Sequence, residues 1–101
     1  MRLRVLVTGS QGFVGRHVVS YLAEHGFETV GTDVAAGADV VGSIVDKSFV
    51  DDKLSRLDFD AVVHLAGIAD LKKTIEDPYS CYQINCFGTL NALELASKKK
   101  V

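Results

Sequence analysis

The sequence predicts an α/β fold, a parallel sheet with helices flanking it. Three observations carry that expectation. Apolar, β-branched runs alternate with helix-like patterns; the first run stops at a glycine-rich turn; and the segment after the turn repeats its apolar residues every four positions. Right-handed crossovers would set such strands side by side, with ligands expected beyond their C-terminal ends. The 101 residues make one domain, and a chain of this size buries roughly 65% of the surface its unfolded form exposes.

Residues 3–8, "LRVLVT", are aliphatic and β-branched and stop at glycine, which reads as a buried parallel strand. From Phe13 to His25, Val14, Val18 and Leu22 mark one buried helical stripe with Tyr21 beside it, and Gly26 is the expected C-terminal stop. "FETVGTD" (27–33) is a second strand, and "ADVVGS" (38–43) a third that its glycine weakens. Asp46 to Arg56 reads as a helix with Asp46 at its N-cap and Phe49, Val50 and Leu54 facing inward. "FDAVVHLAG" (59–67) is the fourth strand, followed by a polar loop, "IADLKKTIEDP". A long helix then runs from about Tyr79 to Lys99. Its Ile84, Phe87, Leu90, Leu93 and Leu95 cover more than one stripe, so it is buried on two sides or meets another chain.

Composition narrows the class. An apolar fraction of 48% and a charged fraction of 24% belong to an ordinary globular protein. A net charge of -2 argues against nucleic acid as a partner, and the one basic run, Lys98-Lys99-Lys100, suits the C-terminal end of a helix. No apolar stretch is long enough for a membrane span. The N-terminal "MRLRVLVTG" leaves no room for a signal peptide and no Asn-x-Ser/Thr site occurs, so the expected location is the cytoplasm. Cys81 and Cys86 match neither a redox pair nor a zinc framework and read as reduced thiols on one helix. His17, His25 and His64 lack metal-ligand spacing, and His64, ending an apolar strand, reads as a core histidine. There is no G-x-S-x-G elbow and no P-loop lysine. Asp39, Asp51, Asp52, Asp58 and Asp60 read as solvated ends of strands and helices.

"TGSQGFVG" (8–15) places glycines at 9, 12 and 15, between a strand and a helix. A phosphate-binding turn needs that arrangement. Gly9 supplies the tight turn, Gly12 the close approach to a pyrophosphate, and Gly15 the packing of helix against strand, while the helix N-terminus faces the phosphates. Asp33, eighteen residues after Gly15 at the end of the second strand, is placed to accept both ribose hydroxyls of an adenosine. It would repel the extra phosphate of NADP, and no Arg or Lys lies near it in sequence, so NAD is the expected cofactor.

The spacing is G-x-x-G-x-x-G, and at this point the resemblance becomes specific. "TGSQGFVG" resembles the TGxxGFxG signature of the extended short-chain dehydrogenases, the NAD-dependent epimerase/dehydratase family. "DAVVHLAG" is similar to that family's fourth strand and "NCFGTLNALELA" to its N-x-x-G-T-x-N helix, so the likeness runs over essentially the whole chain. It implies a Rossmann-like sheet with flanking helices, here ending after the fourth strand and its following helix. It also implies that Gly9, Gly12, Phe13, Val14 and Gly15 hold the pyrophosphate and Asp33 the adenosine ribose. "GSIVD" (42–46) resembles the family's G-D-[IL]-x-D. Ser43 stands where the first acid would meet the adenine amino group, leaving a hydroxyl for that contact, and Ile44 would pack on the adenine. Leu65, Ala66 and Gly67 resemble the turn against the middle of the cofactor, and Asn85 the helix amide near its nicotinamide side.

Similar enzymes carry out their chemistry with a Tyr-x-x-x-Lys pair and a Ser or Thr on a fifth strand. Here Tyr21 is followed four residues later by His25, Tyr79 by Gln83 and Tyr82 by Cys86, so no catalytic residue is assigned. "ELASKKKV" resembles the approach to the fifth strand. The expectation is therefore an NAD-binding N-terminal portion of an epimerase/dehydratase-like oxidoreductase for a nucleotide-sugar or similar hydroxyl-bearing substrate, inactive by itself. The competing expectation is a non-enzymatic binding module for NAD or an adenine nucleotide. The exposed fourth strand and the broad apolar face of the 79–99 helix lead to a homo-oligomer through that helix, the one by which related enzymes often dimerise.

Overall fold

In the computed structural model, which describes residues 2–101, the aliphatic run after the N-terminus becomes the central strand. This is β1 (Arg4–Thr8), and Val5, Leu6, Val7 and Thr8 are all buried. Both its edges are paired and both its faces covered, which is why it tolerates an unbroken apolar run. β2 (Glu28–Asp33) lies on one side and β4 (Ala61–His64) on the other, with β3 (Val40–Val41) beyond β2. All pairs are parallel and the order is β3-β2-β1-β4. Leu6 sits level with Val30 and Val62, so these three share one face, and Val7, level with Gly31 and Val63, points to the other.

The Leu6 face carries the main core. Leu6, Ile44, Val50, Leu54, Phe59, Ala92 and Leu95 pack together there, contributed by strands, turns and two helices. Leu6 and Leu54 are completely removed from solvent, each contributing about 1.5–3 kcal/mol. The helices on this face are α2 (Lys47–Asp52), extended by a 3-10 turn at Leu54–Arg56, and α4 (Pro78–Lys99). Asp46 caps α2 as expected, accepting from the Phe49 N–H at 3.3 Å. Lys47 reaches Glu94 at 2.7 Å, tying α2 to α4 on the half-exposed surface, and Lys98 reaches the same carboxylate at 3.0 Å from within α4. The hydrogen bond from Lys47, with Lys98 beside it, holds the Glu94 carboxyl down to about 2.

α1 (Phe13–Glu24) connects β1 to β2, and Gly26 stops it with φ +87° while the Phe27 N–H reaches back to the Leu22 carbonyl. Its buried stripe is narrower than the sequence pattern indicated. Val18 and Leu22 are half-buried, but Val14 is 55% exposed and Tyr21 turns outward to stack on His25. In the first turn of α1 it is Gly15 that packs inward, against the Gly9 carbonyl, which leaves its neighbour Val14 facing out. Two further boundaries differ. The third strand shrinks to two residues, because the Asp39 carboxylate accepts from the Gly31 N–H at 2.8 Å in place of a ladder bond. The expected loop 68–78 contains α3 (Leu71–Glu76), capped by Asp70, whose carboxylate accepts from the Lys72 N–H at 2.9 Å. No residue of α3 is buried, so capping rather than an apolar stripe defines it.

Candidate functional site

The C-terminal ends of β1, β2 and β4 open into a cleft of about 470 Å³. Each wall comes from a turn that a strand feeds. The β1 turn supplies Gly9, Gln11 and Gly12; the end of β2 supplies Asp33, Val34 and Ala35; the turn after β3 supplies Gly42, Ser43, Ile44 and Val45; and the turn after β4 supplies Leu65, Ala66, Gly67 and Ile68. Among the described residues no lysine or arginine lines it.

The glycines fit a cradle for a diphosphate. Gly9 has φ +67°, and a Cβ on it would lie 2.7 Å from the Ala66 N, so the turn needs glycine for both conformation and space. At Gly15 a Cβ would overlap the Gly9 carbonyl, which means that Gly15 packs against the turn itself more than against the strand. Gly12 is the N-cap of α1 in an extended conformation, and a Cβ there would meet only the Gly9 carbonyl, at 3.3 Å. With no side chain at the cap, the first-turn N–H groups stay available to an anion. Phe13 and Val14, expected at the pyrophosphate, belong to that turn. Their side chains are exposed, so only their backbone is placed to contribute.

Asp33 stands at the cleft and holds it together as well. Its Oδ2 accepts from the Gln11 N–H at 2.9 Å and its Oδ1 from the Ala35 N–H at 3.1 Å. The carboxylate thus pins the glycine turn to the end of β2, retaining further lone pairs at the cleft. Ser43 and Ile44 both line the cleft. The Ser43 Oγ accepts from the Val45 N–H at 3.3 Å, which leaves its O–H free to donate. Ile44 is fixed from behind by Asn91, whose Nδ2 donates to the Ile44 carbonyl at 2.8 Å. Gly88 leaves room there too, since a Cβ would lie 2.9 Å from the Ile44 Cγ2.

Leu65, Ala66 and Gly67 form the opposite wall. The Thr8 Oγ1 accepts from the Leu65 and Ala66 N–H groups at 2.9 and 3.1 Å, ending β4 and bending it into the turn. Asn85 does not line the main cleft. Its Oδ1 accepts from the Ile68 N–H at 2.7 Å and its Nδ2 donates to the Ile68 carbonyl at 3.0 Å, so it braces the turn. A smaller recess of about 370 Å³ lies behind, lined by Asn85, Thr89, His64 and the same turn. His64 is half-buried and hydrogen-bonded through both nitrogens, to the Thr8 and Thr89 hydroxyls, rather than packed as an apolar core group. Burial pushes its pKa below the ordinary histidine value.

Sequence reasoning missed Gln11, Thr8 and Asn91. All three lie inside the quoted motifs, so their places were visible, but their partners, 22, 57 and 47 residues distant, were not. Among the described residues no cluster of His, Cys, Asp and Glu is arranged to hold a metal ion, and no helix is long and apolar enough to cross a membrane.

The model of the NAD dependent epimerase/dehydratase family matches residues 5–101. This chain belongs to that family. The family is NAD-dependent, and the cleft of this chain carries a glycine turn and a strand-end aspartate, with no basic side chain lining it among the described residues. A UDP-glucose 4-epimerase from Pisum sativum is 29% identical over 94% of this chain, which spans 33% of that protein. The UDP-glucose 4-epimerase of Thermus thermophilus, solved in complex with NAD, superposes with a TM-score of 0.88 at 32% identity, covering 98% of this chain and 35% of that one. The Brucella ovis UDP-glucose 4-epimerase, also solved with NAD, gives 0.84 at 30% identity over 97% and 33%. The chain spans about a third of the length of the relatives it matches.

Proposed function

We propose that this chain is the NAD-binding portion of an epimerase/dehydratase-like oxidoreductase whose substrate is a nucleotide sugar or a similar hydroxyl-bearing molecule. The observation that carries the reading is the pairing of the glycine cradle with Asp33 across one cleft. Gly9, Gly12 and the backbone at Phe13, Val14 and Gly15 take the pyrophosphate on the positive end of α1. Asp33 accepts the adenosine ribose hydroxyls, Ser43 and Ile44 meet the adenine, and Leu65, Ala66 and Gly67 lie along the cofactor's middle, with Asn85 holding their turn. When bound, NAD supplies a reversible hydride acceptor. The residues here orient it and keep anionic phosphate away from Asp33.

The 101 residues hold no Tyr-x-x-x-Lys pair, so turnover by this chain alone is not expected. The second reading is a module that binds the nucleotide without catalysis. Self-association belongs to either reading, through the exposed Phe87, Leu90 and Leu93 of α4. The exposed Cys86 thiol suits a reducing compartment, in keeping with a cytoplasmic setting.

Calorimetric titration of the chain with NAD, and with NADP under the same conditions, tests the reading. NAD is expected to bind and NADP to bind at least about tenfold more weakly, since a phosphate would meet the Asp33 carboxylate. Equal affinity for the two would remove Asp33 from its assigned role. Absence of binding to either would overturn the cofactor reading.

A further inference from the structure

Donor counting around His64 fixes where its proton sits. A hydroxyl offers one hydrogen and two lone pairs. The Thr8 Oγ1 receives two backbone N–H groups, from Leu65 (shared with the Thr8 carbonyl) and from Ala66, and neither can act as an acceptor. Its third neighbour is the His64 Nδ1, at 2.7 Å. Both lone pairs are occupied, so the Thr8 O–H donates to Nδ1, and Nδ1 carries no proton. The imidazole hydrogen is then on Nε2, which donates to the Thr89 Oγ1 at 3.2 Å. Thr89 passes its own hydrogen to the Asn85 carbonyl, at 2.6 Å. Every donor in the chain Thr8, His64, Thr89, Asn85 has one acceptor, and all run in one direction.

We propose that neutral His64 is a positioning residue for the cofactor cleft, holding the Leu65–Gly67 turn in place by orienting the Thr8 hydroxyl. The inference rests on the cofactor reading only for its effect on NAD. Protonating the ring adds its second hydrogen, on Nδ1, facing an oxygen with no lone pair to spare. Thr8 must then turn its O–H away and give up a backbone N–H, and the wall that Leu65 and Ala66 form loosens. Thr8 from β1 and Thr89 from α4 bond the ring, and they in turn are bonded by the Leu65 and Ala66 amides after β4 and by the Asn85 carbonyl of α4. None is ionisable, so no charge compensates an imidazolium, and burial alone keeps the ring neutral. The sign follows. A histidine whose folded pKa is lowered contributes fully above its unfolded value, about 6.5, and loses that contribution as pH falls through the lower, folded value.

The first test needs no variant and no cofactor: nitrogen-detected NMR of the imidazoles in the intact chain, followed through an acid titration. The expected result is an unprotonated Nδ1 on His64 at neutral pH, a midpoint below about 6.5, and Leu65 and Ala66 amide shifts that move at the same midpoint. A proton on Nδ1 at neutral pH, or amides indifferent to the titration, overturns the proposal. The second test is NAD affinity at pH 7.5 and at a pH one unit below the His64 midpoint found by NMR, where a drop of about fivefold or more is expected. His64→Leu should show the weakened affinity at both pH values. His64→Asn, which returns an acceptor near the Nδ1 position without an ionising group, should recover much of the loss and flatten the pH profile. A His64→Asn chain as pH-dependent as the parent overturns the assignment. Absence of NAD binding even at pH 7.5 counts against the cofactor reading instead, while the NMR titration still decides where the proton lies.

Discussion

Gly12 and Gly15 stand three residues apart, yet a methyl group meets different surroundings at each. At Gly15 it would overlap the Gly9 carbonyl, inside the contact that fixes α1 on its turn. Gly15→Ala is therefore expected to destabilise the chain by about 2 kcal/mol or more, read from a denaturant midpoint. Gly12 has an ordinary extended backbone and a single tight neighbour, so Gly12→Ala should cost under about 1 kcal/mol but weaken NAD binding about tenfold by filling the approach to the phosphates. Equal destabilisation by the two substitutions would contradict this division. Spacing already assigned approach to Gly12 and packing to Gly15; only the packing partner of Gly15, the Gly9 carbonyl rather than a strand, depended on which neighbour stands behind each Cα. Asp33 is similar. Its position at a strand end was legible, whereas its hold on the Gln11 amide was not, since that contact spans 22 residues.

At the level of elements, α4 holds both walls of the cleft. Asn85 secures the turn after β4, and two turns further on Asn91 secures the turn after β3. Asn91→Ala leaves the Ile44 carbonyl without its partner, an expected cost of about 1–2 kcal/mol. Because Ile44 is on the adenine side of the proposed site, AMP and NAD should both weaken, by about fivefold. Loss of NAD affinity with AMP unaffected would show that the Ile44 wall does not grip the adenine. Helices with caps and apolar stripes were legible in outline, as Asp46 and Gly26 illustrate. Two features were not. α3 buries nothing, so periodicity gave no sign of it, and β3 lost most of its length because Asp39 took over a ladder position.

For the whole molecule the prominent feature is uncovered apolar surface. β4 is an edge of the sheet, and α4 exposes Tyr79, Tyr82, Phe87, Leu90 and Leu93. Apolar side chains on one helix and an open strand edge favour self-association. Sedimentation over a tenfold concentration range should show a dimer or larger species, and Leu90→Glu should shift it toward monomer by placing a charge within the proposed contact. A monomer for the parent chain across that range would refute association through α4.

The sequence alone determined the strand–helix alternation, the glycine turn, the position of Asp33 and the family resemblance that the comparison over residues 5–101 bears out. These are local patterns of spacing and polarity, and they survive in one dimension. Tertiary structure alone decided that Val14 is exposed, that Asn85 and Asn91 brace backbone turns, and that His64 joins a directed chain of hydrogen bonds between β1 and α4. The physical reason is the same in each case. A hydrogen bond or a buried contact is set by its partner, and these partners are brought together by the parallel sheet from positions 17 to 57 residues apart.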